Sequence, residues 1–117
     1  MAFLKTRQPI AKAVLYELLV EHVKATREEA RRGMSYSHLT KSYYNLTSQT
    51  LYPGDSELAA ALAGIHDDCI KAGLPPIDVA LWTKNGRPSS GYRNLAGWRE
   101  DWDAVLAQET WPHLYEN

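Results

Sequence analysis

The sequence predicts a one-domain α+β chain in which three helices precede a two-stranded hairpin and a fourth helix follows. Three observations carry this. Apolar residues recur every three or four positions in separate stretches, Ile77 to Lys84 is rich in β-branched and aromatic residues and runs into Asn85-Gly86, and Trp98 and Trp102 stand four apart. A chain of 117 residues fits one domain, burying roughly two-thirds of its unfolded surface. With 44% hydrophobic and 23% charged residues, disorder is not expected.

From Pro9, the stretch PIAKAVLYELLVEHVKATREEARRG places Ile10, Val14, Leu15, Leu18, Leu19 and Val23 on one helical stripe. A long helix is expected over residues 8–33, with Pro9 at its start and Gly33 at its stop. His22 falls beside the stripe and reads as a core-edge histidine. Ser37 is a candidate cap for a second helix that buries Leu39, Tyr43 and Leu46, and Pro53-Gly54 forces a turn. Asp55 or Ser56 caps a third helix, whose Leu58, Leu62, Ile65 and Cys69 face the core. Gly73 suits its left-handed terminus, and Pro75-Pro76 prevents continuation.

Alternation within Ile77 to Lys84 predicts a strand, with Val79, Leu81 and Thr83 on one face. Asn85-Gly86 signals a hairpin turn, and Tyr92 to Leu95 is the expected return strand. Trp98, Trp102, Val105 and Leu106 then mark a short helix, the start of an acidic region over 97–117. This order is the layout of a winged helix spanning 35–95, with the hairpin loop as its wing.

The residues that carry this layout also carry a resemblance. Tyr36-x-x-Leu39, the helix ending in Gly73-Leu74-Pro75-Pro76, the apolar strand and the loop Gly86-x-Pro88-x-x-Gly91-Tyr92 resemble a winged-helix-like domain of bacterial and phage defence or restriction settings. The resemblance covers about half the chain and implies a fold more than a chemistry. The punctuation is also similar to the winged helix of the alkylguanine transferases and their alkyltransferase-like relatives. Their reactive Pro-Cys-His-Arg or Pro-Trp-His-Arg stretch is missing, because Pro75-Pro76 runs into Ile77-Asp78, so that activity does not carry over.

No catalytic constellation stands out. Cys69 lies on the apolar stripe, where Asp67 and Asp68 would raise its pKa, so it reads as a core cysteine. His66, Asp67 and Asp68 are consecutive on a helix, cannot close on one ion and read as a solvated face. Ser89-Ser90 lacks a nucleophile elbow, and GRPSSGY lacks the Gly-Lys-Ser/Thr of a phosphate loop. The expectation is a non-enzymatic protein with no cofactor and no metal. MAFLKTRQPI lacks a secretory apolar region, no stretch reaches membrane-spanning length, and one Cys suits a reducing compartment; the cytoplasm is the expected location.

Binding remains. The formal net charge is −1, but residues 1–99 hold all 13 basic residues against nine acids, while 100–117 hold only acids. A nucleic acid would be met by Lys84, Asn85, Arg87, Ser89 and Ser90 on the wing, His38 and Lys41 on the second helix, and Arg31 and Arg32 at the end of the first. Tyr43 and Tyr44 offer stacking, and a homodimer could pair two weak sites. The third helix is a poor reader of a duplex, since Glu57, Asp67 and Asp68 outnumber Lys71. The expected role is a small nucleic-acid-binding protein of a phage, defence or mobile-element system. The alternative is a protein-interaction module or inhibitor anchored by Trp98, Trp102, Trp111 and Tyr115.

Overall fold

The computed structural model describes residues 9–29 and 31–115, so the expected helix start at Gln8 and the acid Glu116 lie outside the described residues. Helix α1, Lys12–Thr26, buries Leu15, Leu19 and Val23 of the expected stripe together with Tyr16 and Val20, while Ile10, Val14 and Leu18 are only partly buried. It stops well before Gly33. The Thr26 carbonyl accepts the amides of Glu29 (3.1 Å) and Arg31 (3.0 Å), and its hydroxyl accepts that of Arg32 (3.0 Å). Thr26 thus turns the following amides back on itself, a side-chain and backbone competition that ends helices. Arg31 has a left-handed backbone, φ 48°.

Two residues of strand follow, β1 at Met34–Ser35, and then helix α2, Tyr36–Thr47. The cap is Ser35 rather than Ser37: its Oγ accepts the His38 amide at 3.1 Å, and of the three residues expected to be buried Leu39 and Tyr43 are, while Leu46 is exposed. Helix α3, Ser56–Lys71, is capped by Asp55, whose carboxylate accepts the Glu57 amide at 2.9 Å. At its far end Gly73 has φ 75°, and the Leu74 amide returns to the Cys69 carbonyl at 2.9 Å, the expected left-handed termination.

The two-stranded hairpin is corrected by the structure. Ile77–Ala80 is a 3-10 turn, and only Leu81–Trp82 forms a strand, β2. Its partner is β1, in parallel, with Met34 opposite Leu81 and Ser35 opposite Trp82. Residues 92–95 form no strand. The Asn85-Gly86 turn does exist: Thr83 N–H donates to the Arg87 carbonyl at 2.8 Å, and Gly86 has φ 75°. Beyond it Pro88 and Tyr92 are buried, so the chain turns inward instead of running back beside β2.

Helix α4, Trp98–Ala107, then closes an α+β fold that has four helices and one parallel strand pair among the described residues. Ile77–Ala80 packs against α1, α3 and α4 and is buried along its whole length. The core gathers around it. Leu58, Ile65 and Cys69 of α3, Val105 of α4 and Leu19 of α1 belong to one buried cluster with it, while Leu62 is only partly buried. No helix among the described residues is long and apolar enough to cross a membrane.

One close approach fixes the β1–β2 contact. A β-carbon on Gly33 would stand 2.2 Å from Cγ of Trp82, whose ring is itself held edge-on by Trp98 and Trp102 at centroid distances of 5.6 and 5.3 Å. Gly33→Ala is therefore expected to lose about 1–3 kcal/mol by overpacking. Chemical denaturation of the variant, set against the exposed and unobstructed Gly54→Ala as control, measures this.

Candidate functional site

Three segments distant in sequence enclose a groove of about 980 Å³: the β1–α2 junction, the N-terminal half of α3, and the loop from Thr83 to Arg93. Its walls are apolar and aromatic, with Leu58 and Leu62 from α3 facing Tyr36, Trp82, Pro88 and Tyr92. Arg32, Lys84 and Arg93, all exposed, also line it. Arg93 shares its charge with Asp67 at 3.1 Å, where both side chains are about half exposed.

The floor holds a buried acid. Asp78, 7% exposed, lies opposite His66 of α3, with its two carboxylate oxygens 3.0 and 3.2 Å from the ring Nδ1. A carboxylate at that distance requires the proton on Nδ1, so the ring donates. His66 is thus a correction: it is buried and paired, not part of a solvated face. The Asp78 hydrogen bond raises the His66 pKa against the opposing effect of burial. Burial raises the Asp78 pKa in turn, the bond to His66 working against it. The dyad favours holding its proton.

A second polar layer fixes the loop. Tyr92 packs edge-on to His66 at 5.3 Å and donates its hydroxyl to Asp101 at 2.7 Å, and the Asn94 amide donates to the same carboxylate oxygen at 3.0 Å. Burial, then the Asp101 bond, pushes the Tyr92 phenol far up, so it stays a donor. These bonds hold 92–94 against α3 and α4, which is why no return strand forms.

Of the residues singled out from sequence, Arg32, Lys84 and Ser89 meet at the groove. Asn85 and Arg87 sit exposed on the adjoining turn, with Ser90 exposed beyond it. Arg31, His38 and Lys41 are exposed but line no part of the groove. His38 instead tilts against His22 at 6.5 Å, and His22 Nε2 bonds the Arg32 carbonyl at 2.7 Å, as a core-edge histidine should. Tyr43 is core, its hydroxyl accepting the Ala11 amide at 2.8 Å, whereas Tyr44 is half exposed. Cys69 is buried, and burial raises its thiol pKa to about 11.

The aromatic residues considered as protein anchors pack within the chain. Trp102 is buried and Trp98 partly so. Trp111 and Tyr115 stand edge-on to Tyr16 at 6.5 and 5.8 Å. Tyr115 also donates to Asp68 at 2.6 Å, beside Lys12 Nζ at 2.9 Å, which joins the C-terminal segment to α1 and α3. Those two bonds hold the Asp68 pKa down, Tyr115 contributing more.

Asp78, Tyr92 and Asp101 were not legible as a group. Asp78 sits in an apolar run and reads as a strand residue; its one sequence signal is an acid flanked by Ile77 and Val79, a charge that burial would require to be paired. Compared with known proteins, this chain matches no family model, no curated protein and no solved structure.

Proposed function

We propose that this protein binds single-stranded nucleic acid along the groove between α3 and the Thr83–Arg93 loop. One observation carries the reading: two segments about fifty residues apart bring cations, Arg32 and Lys84, to the edges of a groove walled by Tyr36, Trp82 and Tyr92. Cations that follow the phosphates and rings that stack on unpaired bases are the two requirements of such a site. A duplex is less well served, because α3 turns Leu58 and Leu62 toward the groove and presents Glu57 and Asp67 to solvent. The chain order of helix, strand, two helices, strand and turn supports a winged-helix relative whose wing is shortened to the Thr83–Arg87 turn. A place in a phage or defence system belongs to the same proposal and rests on the sequence resemblance alone.

The test is fluorescence anisotropy with labelled single-stranded and duplex oligonucleotides. Single strands are expected to bind more tightly, with affinity falling steeply between roughly 50 and 200 mM salt. Lys84→Gln and Arg32→Gln should each flatten the salt slope by about one. Absence of binding at low salt contradicts the proposal.

A further inference from the structure

We propose that the bound strand leaves the groove along the exposed face of α2, where Lys41 takes a phosphate and Tyr44 stacks a base; this rests on the nucleic-acid reading above. The face begins inside the site. Ser37 lines the groove, and Lys41 and Tyr44 follow it at spacings of four and three, so the three stand on one side of the helix, all exposed. At 1.5 Å per residue, Tyr44 lies about 10 Å along α2 from Ser37. A cation of the groove adjoins the start of this face: His22 bonds the Arg32 carbonyl at 2.7 Å, and its ring stands 6.5 Å from that of His38.

The chemistry of the face suits an anionic chain. From Ala30 to Gly54 the sequence has no Asp or Glu, so α2 carries no side chain that repels phosphate. Lys41 forms no ion pair among the described residues, whereas Lys12 is held by Asp68 and Arg93 by Asp67. Two adjacent tyrosines divide the roles. Tyr43 is fully buried with its hydroxyl bonded to the Ala11 amide, and Tyr44 is half exposed. An exposed ring one turn from an unpaired cation repeats, outside the groove, the combination of ring and cation found within it. The exposed acids of α3, Glu57 and Asp67, give the strand no comparable path on that helix.

The experiment uses the full chain and two oligothymidines, of about four and about twelve nucleotides, which span the usual site sizes. Affinity and its salt dependence are read by anisotropy for the labelled longer strand, and by competition against it for the shorter. Lys41→Gln should flatten the salt slope of the longer strand by about 0.7, the single-strand value for one phosphate contact, and leave that of the shorter unchanged. Tyr44→Ala should weaken the longer strand about fivefold or more, the loss of one stacked base, with no effect on the shorter. Both side chains are exposed, so neither change disturbs the core. Lys71→Gln removes the same charge from an exposed position of α3 outside the groove and should change neither strand. Wild-type affinity of the Lys41 and Tyr44 variants for the longer strand, or an equal loss with Lys71→Gln, overturns the α2 path and leaves the groove standing. Equal losses for the two lengths overturn it as well, because they put α2 within the first contact instead of beyond it. No binding of either strand by the wild type overturns both readings.

Discussion

Asp78→Ala is expected to destabilise the fold by about 3–5 kcal/mol below about pH 6.5, because it leaves His66 buried without its carboxylate. The effect should depend on pH in a definite direction. Asp78 raises the His66 pKa in the folded protein, so the stabilisation is fully present below the unfolded value near 6.5 and is lost as pH rises through the folded value. Burial also raises the pKa of Asp78, and the folded state therefore favours that proton as well, which works in the same direction. The gap between wild type and variant should narrow toward the alkaline side, approaching the 1–3 kcal/mol or so of a buried imidazole N–H left without its acceptor. Urea denaturation of both proteins from about pH 5 to about pH 9 measures it. A gap that is constant, or that widens with rising pH, would mean the pair does not hold its proton as described.

Ile65→Ala should cost about 2–5 kcal/mol. Ile65 has no exposed surface and lies on α3 facing the buried 3-10 turn, so truncation opens a cavity with little to collapse into it. Leu62 stands one turn away on the same helix but is only partly buried and lines the groove. Its truncation should therefore cost clearly less. Thermal unfolding of the two variants distinguishes them, at about 4–8 °C per kcal/mol or somewhat less for a chain of this size. Equal losses would mean that Leu62 is as deeply packed as Ile65 and that the groove is closed.

The helices were legible because their signals are local. The Asp55 cap, the Gly73 terminus and the Leu15, Leu19, Val23 stripe each depend on residues within a turn or two, and each is found where the sequence places it. The strand region was misread for a physical reason. Ile77–Ala80 is buried along its whole length, so the two-faced pattern read from its sequence does not correspond to a buried and an exposed side, and its apolar, β-branched composition suits a buried 3-10 turn as well as a strand. Tyr92–Leu95 fails as a return strand because Tyr92 and Asn94 bond Asp101 and Arg93 bonds Asp67, partners on other elements that no local pattern reveals. Met34–Ser35 was missed as the true partner of β2 because two residues show no periodicity.

The site was legible in the same proportion. Lys84 and Ser89 announce themselves in a hydroxyl-rich basic turn, and Arg32 in a run of arginines. That Arg32 and Lys84 share one groove follows only from the parallel pairing of Ser35 with Trp82, which draws the two segments together. The acid in the floor depends on a helix–turn contact between His66 and Asp78, twelve residues apart.

The most direct test of the groove as the binding site is a ¹H–¹⁵N correlation titration of the protein with single-stranded oligonucleotide. Shifts should concentrate on Arg32, Tyr36, Lys84, Ser89, Arg93 and the Trp82 indole, leaving α4 and the segment around Trp111 unmoved. Shifts centred on Trp111 and Tyr115, or on Lys41 and Tyr44 of α2 with the groove silent, would contradict the assignment.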